Sequence, residues 1–180
     1  MKKKEYDVII GIDPDCGSYP DEWGIPTKGG SGVAWFEPKT GEIFLYNNLM
    51  PDMYTMLNNL KATHGDRALV VIEASWLVTT NWHGNTRDSR RVAAKKGYDV
   101  GRCHEVGKII VEFCKALGLN IECQRPLHKM WGGEDRKITH DELARIIHIE
   151  KKTSNQEQRD AALLALHAAN WPMRLHNERV

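Results

Sequence analysis

Val8–Asp13, with the sequence V-I-I-G-I-D and Pro14 directly after it, is the strongest structural signal in this chain. An unbroken apolar run of this length, with charge before it and Asp-Pro after it, is typical of a strand buried on both faces. Asp13 stands at the carboxyl end of the strand, where a carboxylate is costly to bury unless a cation or hydrogen-bond donors meet it. Asp13 is therefore either a turn-former before a proline or a metal ligand.

Length and composition limit the classes of protein to consider. The 180 residues predict a single domain over 1–180, long enough to bury a core without covalent staples. The formal net charge is only +1, so nucleic-acid binding would require local basic patches. No apolar run has membrane-spanning length, and the start M-K-K-K-E-Y-D lacks the apolar core of a signal peptide, so we expect a cytoplasmic protein. The four cysteines form no C-x-x-C pair, which favours reduced structural thiols.

The remaining chain predicts a three-strand meander followed by alternating helices and strands. The predicted strands are Val8–Asp13, 32–36, Glu42–Asn48, Ala68–Glu73 and 120–123, and the predicted helices are 51–63, 100–117, 139–149 and 154–171. The segment 15–31, rich in Gly, Pro and acid, predicts a long loop with no regular structure. This order favours a mixed sheet flanked by helices.

Three further acids occupy positions that suggest chemistry. Glu73 ends the strand A-L-V-V-I-E, which the intervening helix predicts to lie parallel beside the first strand, with the carboxyl ends together. Asp160 falls on the apolar face of the last helix, where patterning disfavours an acid, although a helix start suits one electrostatically. Glu157 shares that face and is either a ligand or the partner of Ser154 in a capping box.

The segment 86–96 contains five basic residues against the single acid Asp88. The basic residues are Arg87, Arg90, Arg91, Lys95 and Lys96. The segment is either a solvated face or a phosphate-binding surface, and we favour the second because Trp82 and Tyr98 flank it and aromatic rings beside positive charge suit exposed bases. The eight histidines form no H-x-x-x-H pair, and we expect His167 to be a hydrogen-bonded core residue rather than a ligand.

Several motifs in this order resemble the RuvC family of Holliday junction resolvases, within the RNase H-like superfamily. They are G-I-D-P at 11–14, V-V-I-E at 70–73, a helix and strand over 101–123 followed by Arg125-Pro126 and a lysine, and D-A-A-L-L-A-L-H-A at 160–168. The resemblance spans nearly the whole chain. It implies an α/β, RNase H-like fold with a five-stranded mixed sheet flanked by helices.

The resemblance also implies a metal-dependent endonuclease that cuts branched DNA, with no small-molecule cofactor and no membrane partner. It implies two Mg²⁺ or Mn²⁺ ions at four acids, namely Asp13, Glu73, Asp160 and Glu157. It implies phosphate contacts for Lys129 and Lys137, and a role in opening the junction for Trp76, for which core packing is the alternative. The insertion after Asp13 departs from the short turn of the family.

Two other functions would use the same residues. One is an RNase H-like nuclease acting on RNA or an RNA–DNA hybrid, and the other is a junction-binding protein that does not cut. A resolvase must cut two strands, while one chain supplies one acid cluster, so we expect a homodimer on a four-way junction. The helix 100–117 is the candidate interface because Gly107 would permit close approach, and packing on its own sheet is the alternative.

Overall fold

The structure is a computed structural model that describes residues 5–78 and 88–173, so predictions about Trp82 and Arg87 lie outside the described residues. In chain order the strands are β1 (Val8–Asp13), β2 (Ser18–Pro20), β3 (Pro26–Lys28), β4 (Ser31–Glu37), β5 (Glu42–Asn48), β6 (Ala68–Glu73) and β7 (Asn120–Gln124). The α-helices are α1 (Met50–His64), α2 (Arg90–Ala116), α3 (His140–Ile146) and α4 (Gln156–Ala169). None of the helices in the described part of the chain has an apolar stretch of membrane-spanning length.

The central sheet has five strands in the order β5-β4-β1-β6-β7. β1 pairs antiparallel with β4 and parallel with β6, and β6 pairs parallel with β7. β1 lies at the centre because its apolar run can be buried on both faces, and all of its residues except Asp13 are buried. The predicted fold class, an RNase H-like mixed sheet with a meander and two parallel additions, is confirmed.

The two faces of the sheet bury separate apolar cores. Alternate residues of β1 point to opposite faces, so Ile9 packs with α3 and α4 while Ile10 packs with α1 and α2. On the α4 face, Gly11 and Gly32 allow the helix to lie against the strands, because a Cβ on either would overlap a backbone carbonyl oxygen of α4. The glycines therefore set the distance between α4 and the end of β1.

The prediction of an irregular loop over 15–31 is wrong. β2 and β3 form a two-stranded antiparallel sheet in which Ser18 pairs with Lys28. Strands of three residues are too short for an alternating pattern to appear in the sequence. Gly17 and Gly30 have positive φ at the base of this hairpin, so the glycines that suggested a loop serve its turns instead.

The predicted start of the helix at 100 is also wrong. α2 begins at Arg90, ten residues earlier, and the hydroxyl of Ser89 caps it by accepting a hydrogen bond from the N–H of Val92. The buried residues of α2 are Gly107, Ile110 and Cys114, so the helix packs through its second half. Its first half has no apolar stripe because it covers no core, and the periodicity that predicts a helix is absent there.

The other predicted elements agree with the structure to within a few residues. α1 extends the predicted 51–63 by one residue at each end, β7 adds one residue, and β4, β5 and β6 lie where the patterns place them. The predicted capping box of Thr139 and Glu142 is present at the start of α3, which ends at Ile146 rather than 149. The four cysteines are free thiols.

We expect Gly11→Ala to destabilise the fold by about 1–3 kcal/mol or more, because the added methyl group must displace the backbone of α4. Gly101→Ala is the matched control, since a Cβ at Gly101 meets nothing within 4 Å on the exposed side of α2. That variant should be neutral or stabilised by up to about 1 kcal/mol. Urea unfolding measures both, and equal stabilities for the two variants would contradict the close packing at Gly11.

Candidate active site

Three acids meet at the edge of the sheet where β1 and β6 end. Asp13 is the last residue of β1 and Glu73 the last of β6, and the parallel register of Ile12 with Ile72 puts the two acids side by side. Neighbouring strands lie about 4.8 Å apart, so the two carboxylates start from adjacent backbone positions. Asp160 approaches the same edge from α4, and its charge acts on both Asp13 and Glu73.

The position of Asp160 follows from the packing of α4 on glycine. In the sheet Gly32 is the partner of Asp13, and a Cβ on Gly32 would overlap the carbonyl oxygen of Glu157. The first turn of α4 therefore lies directly on the end of β1 and the start of β4. Glu157 and Asp160, one turn apart, are both half-buried there.

The acids are held at a high electrostatic cost. Burial raises the pKa of Asp13 well above its ordinary value, and the charges of Glu73, Asp160, Glu157 and Asp15 raise it further. Burial also raises the pKa of Glu73 to about 7, with a further contribution from Asp160. Like charges this close favour protonation unless a cation joins them.

Two lysines partly compensate this charge. Burial raises the pKa of Asp160, while a hydrogen bond from Gln156 and the charges of Lys129 and Lys137 oppose the shift. The Gln156 amide Nε2 donates to the Oδ1 of Asp160 at 2.7 Å. Lys129 also lowers the pKa of Glu73. Both predicted phosphate-binding lysines therefore lie within electrostatic reach of the acids, on the connector between β7 and α3.

The carboxylates of the acid cluster are chemically suited to bind a hard divalent cation. Carboxylate oxygens are the ligands that Mg²⁺ takes in proteins, and a bound cation would offset both the burial and the neighbouring negative charge that raise the pKa of Asp13 and Glu73. As the side chains stand, no three His, Cys, Asp or Glu residues in 5–78 and 88–173 are arranged to hold a metal ion. The metal centre therefore stays a prediction, with Asp13, Glu73, Asp160 and Glu157 as the residues that would hold it.

The capping role considered for Glu157 is wrong. The N-cap of α4 is Asn155, whose side chain accepts from the N–H of Gln158, and the Gln158 side chain accepts from the N–H of Asn155. Ser154 instead lies 2.9 Å from the Nδ1 of His140. Glu157 is thus not needed for the cap, and its charge contributes to the raised pKa of Asp13.

Trp76 and Gly107 pack against each other within the chain. Trp76 lies in a short 3₁₀ turn, Ser75–Leu77, and a Cβ on Gly107 would overlap its indole ring and come within 3.1 Å of the Cγ of Pro14. Trp76 therefore packs against the core, and because its ring stays half-exposed its role in opening the junction stays a prediction. Gly107 serves this contact, so its buried stripe on α2 is not the dimer interface that the sequence suggested.

The predicted basic segment lies on the first half of α2, where two of its lysines are already paired. Lys95 Nζ is 2.7 Å from a carboxylate oxygen of Asp99, and Lys96 Nζ is 2.7 Å from Asp88. The Lys95–Asp99 pair is exposed, and such pairs contribute little to stability, so Lys95 can exchange a carboxylate for a phosphate at low cost, whereas the Asp88 partner of Lys96 is half-buried.

The two arginines of the segment are more available. Arg90 and Arg91 are exposed at the first turn of α2, and among the described residues neither has an ion pair. Tyr98 is 63% exposed on the same half, with the guanidinium of Arg102 5.8 Å from its ring centroid. Arg102 was not among the predicted contacts, because it lies beyond the basic run in the sequence.

His167 is neither a core residue nor part of this site. It is exposed and lines a cavity of about 1400 Å³ together with Tyr6, Ile9 and Leu69, at the opposite edge of the sheet from Asp13. The prediction of a hydrogen-bonded core histidine is wrong because His167 lies on the exposed side of α4, whereas its neighbours Leu166 and Ala168 pack into the core.

Two residues near the site were not predicted as part of it. Gln156 orients Asp160, and its spacing of four residues on one helix could have indicated this contact. Asp15 was assigned to the loop alone, yet its charge raises the pKa of Asp13 while its Oδ1 accepts from the N–H of Gly17 at 2.6 Å. In the sequence, the only indication that Asp15 belongs near the acid cluster is its position two residues after Asp13.

The fold and the site together define an α/β domain with a five-stranded mixed sheet flanked by helices, which carries an acid cluster at the carboxyl edge of the sheet. No family model matches the chain, and no curated protein matches it in sequence. Among solved structures, the chain is similar to T. thermophilus RuvC in complex with a Holliday junction substrate. The TM-score is 0.48 and the identity 12%, over 92% of this chain and 94% of that one.

We expect Asp13→Asn to raise the Tm by a few degrees at about pH 8 in chelator, since about 1 kcal/mol changes the Tm of a chain this size by about 2–4 °C. The folded pKa of Glu73, about 7, lies above its ordinary value of 4.5. The stability that proton binding confers is therefore present at low pH and lost as pH rises through 7, and removing the Asp13 charge reduces that loss.

Thermal denaturation with and without Mg²⁺ checks this expectation. Mg²⁺ should raise the Tm of the wild type and of Glu122→Gln, an exposed control on β7, but not that of Asp13→Asn. An equal rise in Asp13→Asn would place any metal site elsewhere.

Proposed function

We propose that this protein is a metal-dependent, structure-selective endodeoxyribonuclease that cuts phosphodiester bonds in branched DNA, with a four-way junction as its substrate. The observation that carries the proposal is the convergence of Asp13, Glu73 and Asp160 from three separate elements. The pKa of each of the three carboxyl groups is raised, which shows that their position is costly and is not explained by packing of the core. Perturbed acids gathered at one point are typical of functional sites.

The acids have separable roles in this proposal. Asp13 and Glu73 would hold metal from the sheet, and Asp160 and Glu157 from α4. Mg²⁺ or Mn²⁺ ions, when two are bound, supply charge neutralisation at the phosphate and a water of lowered pKa. Gln156 holds one oxygen of Asp160 by its hydrogen bond, which leaves the other oxygen free to face the site.

The lysines beside the acids would position the substrate. Without a cation the cluster repels a phosphodiester, and Lys129 and Lys137, together with Arg159, supply positive charge that opposes this repulsion. Lys129 is exposed and Lys137 half-exposed, so both ammonium groups can reach a phosphate. Their expected effect is on binding and orientation of the scissile strand.

The first half of α2 supports a substrate larger than a single strand. At about 1.5 Å per residue, its 27 residues span about 40 Å, and only the second half is buried on the sheet. The exposed half carries Arg90 and Arg91 away from the acids, where they can meet phosphates of a second duplex arm. An RNA or hybrid nuclease would use the same acids without needing this extension.

A homodimer belongs to the proposal because two strands of a junction must be cut and each chain carries one acid cluster. The stripe around Gly107 is used inside the chain, so the interface must lie elsewhere. The exposed half of α2 offers apolar surface at Val92 and Tyr98, which are 43% and 63% exposed. That half therefore replaces the stripe as the candidate contact between two copies.

We expect Asp13→Asn, Glu73→Gln and Asp160→Asn each to lower cleavage at least about a hundredfold while junction binding persists, because the acids act at the reacting phosphate. Cleavage of a four-way junction, a linear duplex and an RNA–DNA hybrid, with Mg²⁺ or with chelator, measures this. Paired nicks on strands of like polarity would be the product of a dimer.

Glu122→Gln is the control in the same assay and should cut as the wild type does. An acid variant that keeps nearly full activity would exclude that residue from the site. Cleavage of the hybrid as readily as the junction would favour the RNase H-like alternative, and binding without cleavage by the wild type would favour the non-cutting one.

We expect Arg90→Ala with Arg91→Ala to weaken junction binding and to flatten its salt dependence by up to about two units of slope, since each phosphate contact contributes about 0.9. Lys95→Ala with Lys96→Ala should have a smaller effect, because each lysine first leaves a carboxylate. Binding titrations at several salt concentrations measure both pairs. Lys39→Ala, at an exposed lysine in the turn between β4 and β5, is the control. If the salt slope is unchanged in all three variants, the basic segment is a solvated face and does not bind phosphates.

A further inference from the structure

The tip of the β2–β3 hairpin presents large apolar side chains to solvent. Trp23 is 80% exposed and Ile25 is 59% exposed. Trp23 has the largest exposed fraction among the exposed large apolar residues of the described chain. A tryptophan in this position neither packs in the core nor shields the hairpin, so its apolar surface is available to a partner.

The tip is held rigid by its own hydrogen bonds. The Oδ1 of Asp21 accepts from the N–H of Trp23 at 2.9 Å and from the N–H of Ile25 at 2.8 Å. The N–H of Asp21 donates to the Ile25 carbonyl, and the N–H of Gly24 donates to the Asp21 carbonyl. Gly24 has φ +75°, which a glycine adopts without strain. The indole is therefore carried on a preorganised turn, which lowers the entropy cost of binding.

The base of the hairpin is fixed beside the acid cluster. It leaves β1 after Asp13 and returns at the start of β4, where the hydroxyl of Ser31 accepts from the N–H of Asp15 at 3.2 Å. Gly17 packs so closely that a Cβ there would lie 2.8 Å from the Cβ of Pro26. From Gly17 to Trp23 the chain spans at most about 20 Å at about 3.3 Å per residue. The tip therefore lies within reach of a strand bound at the acids.

The charges of the tip indicate which part of a nucleic acid it can meet. Glu22 is exposed next to Trp23, and the Asp21 carboxylate is occupied by backbone N–H groups, so the tip is acidic and disfavours phosphates. The face of a base is uncharged and stacks on an indole without regard to sequence. We propose that Trp23 stacks on an unpaired base of the nucleic acid bound at the acid cluster, with Ile25 packing beside it. This proposal rests on the proposed function and names the part of the substrate that the hairpin reads.

The test is equilibrium binding in chelator, so that cleavage plays no part. The DNAs are a four-way junction, a duplex with an unpaired base and a fully paired duplex, each with the wild type, Trp23→Ala and Trp23→Phe. Trp23→Ala should bind the first two about 10- to 100-fold more weakly, as expected for one lost base stack. Trp23→Phe should keep most of the affinity because phenylalanine can also stack.

Two controls separate stacking from charge. The salt slope of Trp23→Ala should equal that of the wild type, because no counterion is released at an indole, whereas the Arg90 and Arg91 variants flatten it. Glu22→Gln should change affinity for the fully paired duplex and for the bulged one equally. Indole fluorescence quenched by the junction in the wild type, and quenched less in Trp23→Phe, would place the base at this ring.

Three results would overturn the inference. They are wild-type affinity of Trp23→Ala for every DNA, an equal loss on the fully paired duplex, and conversion of a dimer to a monomer by Trp23→Ala in sedimentation, which would make a second copy the partner. The test of Trp23 stacking and the test of nuclease activity can fail independently of each other. A wild type that binds through Trp23 but never cuts would refute the proposed nuclease and keep this contact, and a nuclease indifferent to Trp23→Ala would do the reverse.

Discussion

The contact between the backbone of α4 and the strands at Gly11 and Gly32 is the constraint on which the site depends. Because neither residue has a Cβ, the helix lies against β1 and β4 at backbone distance, closer than side-chain packing allows. This places Glu157 and Asp160 at the end of β1 instead of above the middle of the sheet. The electrostatic coupling of Asp13 with these acids is a consequence of the two glycines.

The acid cluster is a feature that stability alone would not retain. Burial raises the pKa of Asp13, Glu73 and Asp160, and repulsion from neighbouring acids raises that of Asp13 and Glu73 further, so the folded chain holds charge where an apolar residue would stabilise it. The neighbouring lysines and the Gln156 amide reduce this cost without removing it. Sites of this kind are typically maintained because the strained arrangement is needed for binding or chemistry.

The elements predicted correctly from sequence are those that cover a core. Val8–Asp13 and Ala68–Glu73 are buried apolar runs, and the strand-helix-strand order predicts their parallel pairing, so the neighbourhood of Asp13 and Glu73 could be inferred. The first half of α2 and the β2–β3 hairpin cover no core, and the patterns that depend on burial are therefore absent from them. The cap of α4 was misplaced by one residue because Ser154 and Asn155 are both good N-caps.

The unsupported first half of α2 has a consequence for how the helix behaves in solution. Gly97 and Gly101 lie within it, each costing about 1 kcal/mol of helix propensity relative to alanine, and this half has no buried residue to offset them in the way that Ile110 and Cys114 stabilise the second half. Local opening should therefore grow toward Ser89, giving a gradient of amide hydrogen exchange along one continuous helix. A partner that binds this half as a straight helix must supply the free energy of ordering it. This cost lowers the affinity of partners with a small contact area more than that of partners with an extended one.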